Sequence, residues 1–327
     1  MTKVFVTRCV PEESLRALKT VAEVEVWPEE EMPVPREVLL ERAKTADGLL
    51  TMISDQVDEE LLSAANHLKV VANMAVGFDN IDVETASAKG IVVCNTPDVL
   101  TDTTADLTFI LLMATARRIL EAADFVKHDK WKNWAPMLLA GSDIHHKTLG
   151  IFGMGRIGAA VAKRASGFDM KVLYHNRSRN QNIEDTLGAE YVPFEELLSR
   201  SDFVVCLAPL TKETKGIFHE GAFQSMKRSA FFINASRGGL VVEEDLERAL
   251  LNKEIAGAGL DVFEEEPISN KHPLLTHPNV VALPHIGSAS VETRLHMVSL
   301  ASQNIVDVLN GDKPKTILNP EIWRTES

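Results

Sequence analysis

"GIFGMGRIG", residues 150–158, is the stretch that decides how the chain is read. It holds Gly153-x-Gly155-x-x-Gly158, and the context matters more than the motif. The apolar run "KTLGIF" (147–152) precedes it as a strand, and "RIGAAVAKRAS" (156–166) follows as a helix. That order is the one a dinucleotide-binding turn requires. Gly153 permits the tight bend, Gly155 lets backbone approach a pyrophosphate, and Gly158 lets helix and strand pack closely. The helix opened by Arg156 and Ile157 offers its N–H groups and positive partial charge to phosphates.

Eighteen residues beyond Gly158, the strand "KVLYHN" ends at Asn176. A carboxylate belongs near there when the ribose 2′-hydroxyl of NAD is to be read. The chain instead has Asn176, Arg177, Ser178 and Arg179, an amide, two guanidinium groups and a hydroxyl. All can donate to a 2′-phosphate. The expected cofactor is therefore NADP(H), with NAD(H) as the alternative.

Outward from this motif the chain alternates strands and helices. "KVFVT", "EVEVW", "GLLTM", "LKVVANM" and "GIVVCN" read as strands in the first hundred residues, with helical patterns between them. "TDTTADLTFILLMATARRILEAADFV" (101–126) reads as one long helix. After the Gly motif, "FVVCLAP", "SAFFINAS", "AGAGLDV" and "VVALPH" continue the alternation, and "ETRLHMVSLASQNIVDVLNG" (292–311) is a closing helix. The fold class is α/β, as two doubly wound parallel-sheet domains.

Composition narrows the function. A net charge of -13 argues against broad nucleic-acid or anionic-membrane binding. No signal peptide or apolar run of transmembrane length is read. Cys9, Cys94 and Cys206 form no disulfide or zinc pattern, which points to a reducing, cytoplasmic setting. His145-His146 and the series His272, His277, His285 match no metal-ligand motif, so no metal is expected.

Three further stretches, "INASRGGLV", "LDVFEEEP" and "LPHIGSAS", each follow a strand of the second domain. Ligands of open α/β sheets bind outside the carboxyl ends of strands, so Arg237, Glu266 and His285 should meet there. The chemistry of a small 2-keto acid asks for these types. An arginine fork binds the carboxylate and polarises the carbonyl. A protonated histidine supplies the proton when hydride reaches the carbonyl carbon. A neighbouring carboxylate favours the imidazolium and fixes its tautomer.

With these stretches, "VGFDNID" and "NTPDVLTDTTAD", the chain resembles the D-isomer-specific 2-hydroxyacid dehydrogenase family, in its glyoxylate/hydroxypyruvate reductase branch. The matching segments span most of the chain in family order. The resemblance implies a flavodoxin-like substrate domain, residues 1–100 plus 288–327, into which a Rossmann cofactor domain, 101–287, is inserted. It gives Arg237 the role of substrate-binding arginine, Glu266 that of the histidine's partner, and His285 that of proton donor. Val76 and Gly77 resemble the loop whose N–H groups hold the substrate carboxylate. Thr104, Pro209, Ala235, Ser236 and Asp261 match positions lining the cofactor. In "KWKNWAP" (130–136), Trp134 matches an arm residue that crosses a homodimer interface toward the partner's substrate. Pro284 before His285 differs from the glutamine of formate dehydrogenases. The implied activity is reduction of glyoxylate to glycolate and of hydroxypyruvate to D-glycerate. The alternatives are a 2-ketogluconate reductase and a non-catalytic NAD(P)H-sensing corepressor-like protein.

Overall fold

β-Branched runs buried on both faces pair in parallel, because helical crossovers cover both sides of the sheet. The computed structural model describes residues 2–323, and the chain divides into two units. The first comprises residues up to Leu100 and from Ala289 onward, and the second Thr101–Ser288.

In the first unit β1 (Lys3–Val6), β2 (Glu23–Val26), β3 (Gly48–Thr51), β4 (Val70–Asn73) and β5 (Val92–Cys94) form a parallel sheet of order β2-β1-β3-β4-β5. That is the flavodoxin-type order 2-1-3-4-5. The central strands β3 and β4 are buried at every position. Helices α1 (Arg16–Val21), α2 (Arg36–Ala43), α3 (Glu59–Ala64) and α4 (Val83–Ala88) make the crossovers. Asp58 and Asp82 cap α3 and α4 by accepting from the N–H groups of Leu61 and Thr85.

The second unit carries β6 (Thr148–Phe152), β7 (Lys171–His175), β8 (Glu190–Tyr191), β9 (Phe203–Cys206), β10 (Phe231–Asn234), β11 (Gly257–Leu260) and β12 (Val280–Ala282). All pair in parallel, in the order β12-β11-β10-β9-β6-β7-β8. Counted from β6, this is the dinucleotide-binding order 3-2-1-4-5-6 with one strand added, and its switch point lies between β6 and β9. The side-chain alternation of the strands builds a core on each face. Phe152, Val204 and Phe232 pack to one side with Phe218 and Leu246, and Ile151, Val205 and Ile233 to the other with Phe109 and Val161. The helices are α5 (Thr101–Ala116), α6 (Ile119–Lys127), α7 (Arg156–Ser166), α8 (Gln181–Leu187), α9 (Phe194–Arg200), α10 (Glu220–Gln224) and α11 (Glu243–Leu251).

Two local features depart from the sequence reading. The long helix of 101–126 is broken between α5 and α6. The Ala116 carbonyl accepts from the Ser142 N–H (2.9 Å), and Arg118 turns left-handed at φ +54°. Its guanidinium is held by Glu121 at 2.8 and 2.7 Å. Strand β8 was not foreseen, since two residues show no alternation.

The closing helix α12 (Val291–Asn310) returns to the first unit. Ser290 caps it, Gly311 ends it at φ +84°, and it packs on α1, β3 and β4. Beyond it Asn319 accepts from the Val93 N–H (2.9 Å) and donates to the Ile91 carbonyl (2.9 Å), tying the tail to β5. Among the described residues, no helix is long and apolar enough to cross a membrane, and no cluster of side chains could hold a metal ion.

Candidate active site

The turns after β6, β9, β10, β11 and β12 all lie at the carboxyl edge of the seven-stranded sheet. Gly153 leaves β6 at φ +103°, and a Cβ there would sit 2.3 Å from the Ala208 nitrogen of the turn after β9. Only glycine satisfies both demands. Gly155 caps α7, and a Cβ on it would meet nothing within 4 Å. Gly158 is buried against the Gly153 carbonyl. Backbone N–H groups at the start of α7, opened by Arg156 and Ile157, thus border open space, which fits a pyrophosphate.

The four residues after β7 divide. Asn176 is engaged with the glycine turn itself: the Met154 N–H donates to its Oδ1 (2.7 Å), and its Nδ2 donates to the Met154 carbonyl (3.2 Å). Arg179 is gripped by Glu184, Nε to Oε1 at 2.6 Å and a terminal nitrogen to Oε2 at 2.5 Å. The Tyr174 hydroxyl donates to the same carboxylate at 2.8 Å. Arg177 and Ser178 are exposed. A hydrogen bond from Thr211, one from the Glu213 backbone, the charge of Lys212 and, least, that of Arg177 hold the exposed Glu213 carboxyl below its usual range.

Arg237, Glu266 and His285 come together at strand ends β10, β11 and β12. Gly238 makes this possible, because a Cβ there would lie 1.8 Å from the Phe263 carbonyl carbon. The Arg237 turn therefore lies directly on the loop that bears Glu266. That carboxylate accepts from the Phe263 N–H at 2.9 Å through Oε1 and from His285 Nδ1 at 2.7 Å through Oε2. Burial alone would raise its pKa. The hydrogen bond and charge of His285, the Phe263 N–H and the charge of Arg237 outweigh burial and hold it below the usual carboxylate range. An ionised carboxylate only accepts, so Nδ1 bears the proton in this bond and Nε2 is the atom turned to chemistry.

His285 sits at φ +54°, which a non-glycine residue adopts only when its surroundings impose it. Asp261 imposes it. Its carbonyl accepts from the His285 N–H (2.9 Å), and its two carboxylate oxygens accept from the Ile286 and Gly287 N–H groups at 2.8 Å each. Burial raises the Asp261 pKa against these bonds. Thr104 of α5 lies beside Gly287.

The comparisons with known proteins bear on this geometry. The model of the D-isomer-specific 2-hydroxyacid dehydrogenase NAD-binding domain matches residues 109–287. A glyoxylate reductase of Thermococcus kodakarensis is 50% identical over 324 residues, 98% of this chain and 97% of the relative. The chain belongs to the D-isomer-specific 2-hydroxyacid dehydrogenases. A crystal structure of a Thermus thermophilus protein, 42% identical, superposes with a TM-score of 0.91 over 97% of this chain and 100% of that one. The NADPH-dependent glyoxylate/hydroxypyruvate reductase of Sinorhizobium meliloti, in complex with NADP and malonate, is 31% identical with a TM-score of 0.85. The match covers 100% of this chain and 99% of that one.

In this dehydrogenase Val76 and Gly77 lie in the first unit, in the turn after β4. Their carbonyls accept from the side-chain amides of Asn95 (2.9 Å) and Asn73 (3.0 Å). Trp134 lies on the arm after α6 and is 74% exposed. Pro209 is exposed after β9, and its carbonyl accepts from the Thr214 hydroxyl (2.7 Å). Ala235 and Ser236 begin the turn after β10, where the Ser236 hydroxyl donates to the Ala208 carbonyl.

Sequence reasoning missed Asn234. It is buried at the end of β10, accepts from the Ser236 N–H (3.1 Å) and donates to the Arg237 carbonyl (2.9 Å). The signal was available: an amide at a strand end, four residues before a glycine pair, is a turn builder. The roles of Asn73 and Asn95 had no such local signal.

Proposed function

We propose that the protein reduces small 2-keto acids, glyoxylate to glycolate and hydroxypyruvate to D-glycerate, preferring NADPH to NADH. The observation that carries this reading is the His285–Glu266 hydrogen bond at a strand edge shared with Arg237 and the glycine turn. A nicotinamide cofactor held by Gly153, Gly155, Gly158 and the α7 N-terminus supplies the hydride when bound. Arg237 binds the substrate carboxylate and draws charge onto the carbonyl oxygen. His285 gives its Nε2 proton to that oxygen as negative charge develops there. Glu266 fixes the ring by its bond to Nδ1, which turns Nε2 to the substrate.

Arg177 and Ser178 support the NADPH preference, since both are exposed donors at the ribose-reading position. The protein acts as a homodimer. Ile119, Leu120, Val126, Trp131, Trp134 and Met137 expose apolar side chains along α6 and its arm. A patch of this kind on a folded surface marks a protein contact. In the dimer, Trp134 borders the partner's substrate, and the enzyme works in the cytoplasm.

Initial rates with glyoxylate and hydroxypyruvate, each with NADPH and NADH, test the reading. At least tenfold higher kcat/KM with NADPH is expected. His285→Gln should lower kcat by roughly 10²–10⁴-fold, the usual worth of a general acid, while cofactor affinity stays put. Tight cofactor binding with no turnover of either acid would overturn the reading in favour of a cofactor sensor.

A further inference from the structure

The loop that carries Glu266 is held from behind by a second acid–histidine pair. Glu243, the first residue of α11, accepts from the Glu264 N–H at 2.8 Å through Oε1. Its Oε2 lies 3.1 Å from Nε2 of His272, with 13% of the Glu243 side chain exposed and 27% of the His272 side chain. The Leu274 N–H points at His272 Nδ1 (3.4 Å), which makes that nitrogen an acceptor and places the ring proton on Nε2, facing Glu243. Both carboxylate oxygens are thus committed, one to the loop and one to a ring anchored on the following turn.

The neighbours give this arrangement its meaning. Glu264 is flanked by Phe263, whose N–H holds Glu266 in place. The backbone of the same two residues presses on Gly238, next to Arg237. The segment 237–243 therefore carries Arg237 at one end and a clamp on the Glu266 loop at the other. An exposed loop of three consecutive glutamates would otherwise splay through like-charge repulsion. We propose that Glu243, backed by His272, is a positioning residue: it fixes the Glu264 peptide so that Glu266 meets His285 Nδ1. This rests on the reading of Glu266 and His285 given above, and Glu243 itself touches neither substrate nor cofactor.

A double-mutant cycle with glyoxylate and NADPH tests it. Glu243→Ala should lower kcat about five- to tenfold and leave both KM values within twofold. In the Glu266→Gln background the same change should cost less than twofold, because residues that act through one another are non-additive. Glu243→Gln keeps an acceptor for the Glu264 N–H and should retain most of kcat. Hydrogen exchange of residues 261–267 should quicken in Glu243→Ala. Should that variant not fold, Glu243→Asp, which keeps the helix charge but is one methylene short, takes its place with the same expectation. An equal fold-loss in both backgrounds, or exchange unchanged with kcat unchanged, would overturn the clamp. Failure of Glu266→Gln to affect kcat would instead sink the Glu266 reading itself.

Discussion

Glu266→Gln is the sharpest probe of the site, because the new side chain has nearly the same shape. The glutamine can still accept from the Phe263 N–H with its oxygen, so the loop keeps its anchor. It then presents an NH2 group to His285 Nδ1, a donor facing a donor at a separation now 2.7 Å. A hydrogen bond to a charged group contributes ~1.5–3 kcal/mol. About a third of the Glu266 side chain is exposed, so solvent screening favours the lower part of that range. A loss of ~1.5–2 kcal/mol corresponds to a roughly 10–30-fold fall in kcat. The KM for the cofactor should hold, since Glu266 lies on β11's turn and the glycine turn follows β6. Steady-state kinetics at neutral pH, with thermal melting as a control for folding, measure this. A kcat within twofold of the parent, in a folded variant, would refute the idea that the carboxylate prepares His285.

Arg177→Ala should raise the KM for NADPH by about tenfold or more, the worth of one charge-assisted bond, and change that for NADH less than twofold; equal effects on both would make Arg177 a bystander. Gly238→Ala must displace the Phe263 backbone, and overpacking of this kind costs ~1–3 kcal/mol, so the melting temperature should drop by several degrees and kcat with it; an unperturbed melt would contradict the close approach. Glu190 is held down to about 2 by hydrogen bonds from Arg200 and Lys171. Its depressed pKa means its stabilising share is fully present above its ordinary value of 4.5 and is lost as pH falls toward 2. Glu190→Gln should therefore flatten the acid limb of a stability–pH curve in that window, and an identical curve would show the cluster to be energetically idle.

Much of the site was legible because its chemistry is written locally. Strand, glycine turn and helix occur in one stretch at 147–166, and Arg237, Glu266 and His285 each lie in the segment that leaves a strand's carboxyl end. The parts that were hidden depend on partners elsewhere in the chain. Nothing at 101–126 announces that Ser142 will take the Ala116 carbonyl and break the helix. The run from Asn176 to Arg179 offers four donors on paper, yet Met154 and Glu184 claim the first and last of them. The need for glycine at 238 comes from Phe263, a residue distant in sequence. Composition and periodicity record what a residue can do, and tertiary neighbours decide which of those options is used.

The return of α12 and the tail to the first unit also governs how the molecule is made. Val93 and Asn319, bonded at 2.9 Å, are 226 positions apart. During synthesis the N-terminal sheet emerges first, but the helix that covers β3 and β4 is translated only after the roughly 190 residues of the inserted unit. At about 5–20 residues per second, that sheet waits on the order of ten to forty seconds with an apolar face uncovered. The inserted unit, whose strands are all its own, has no such delay. A helix and tail translated after the inserted unit thus close a sheet translated before it.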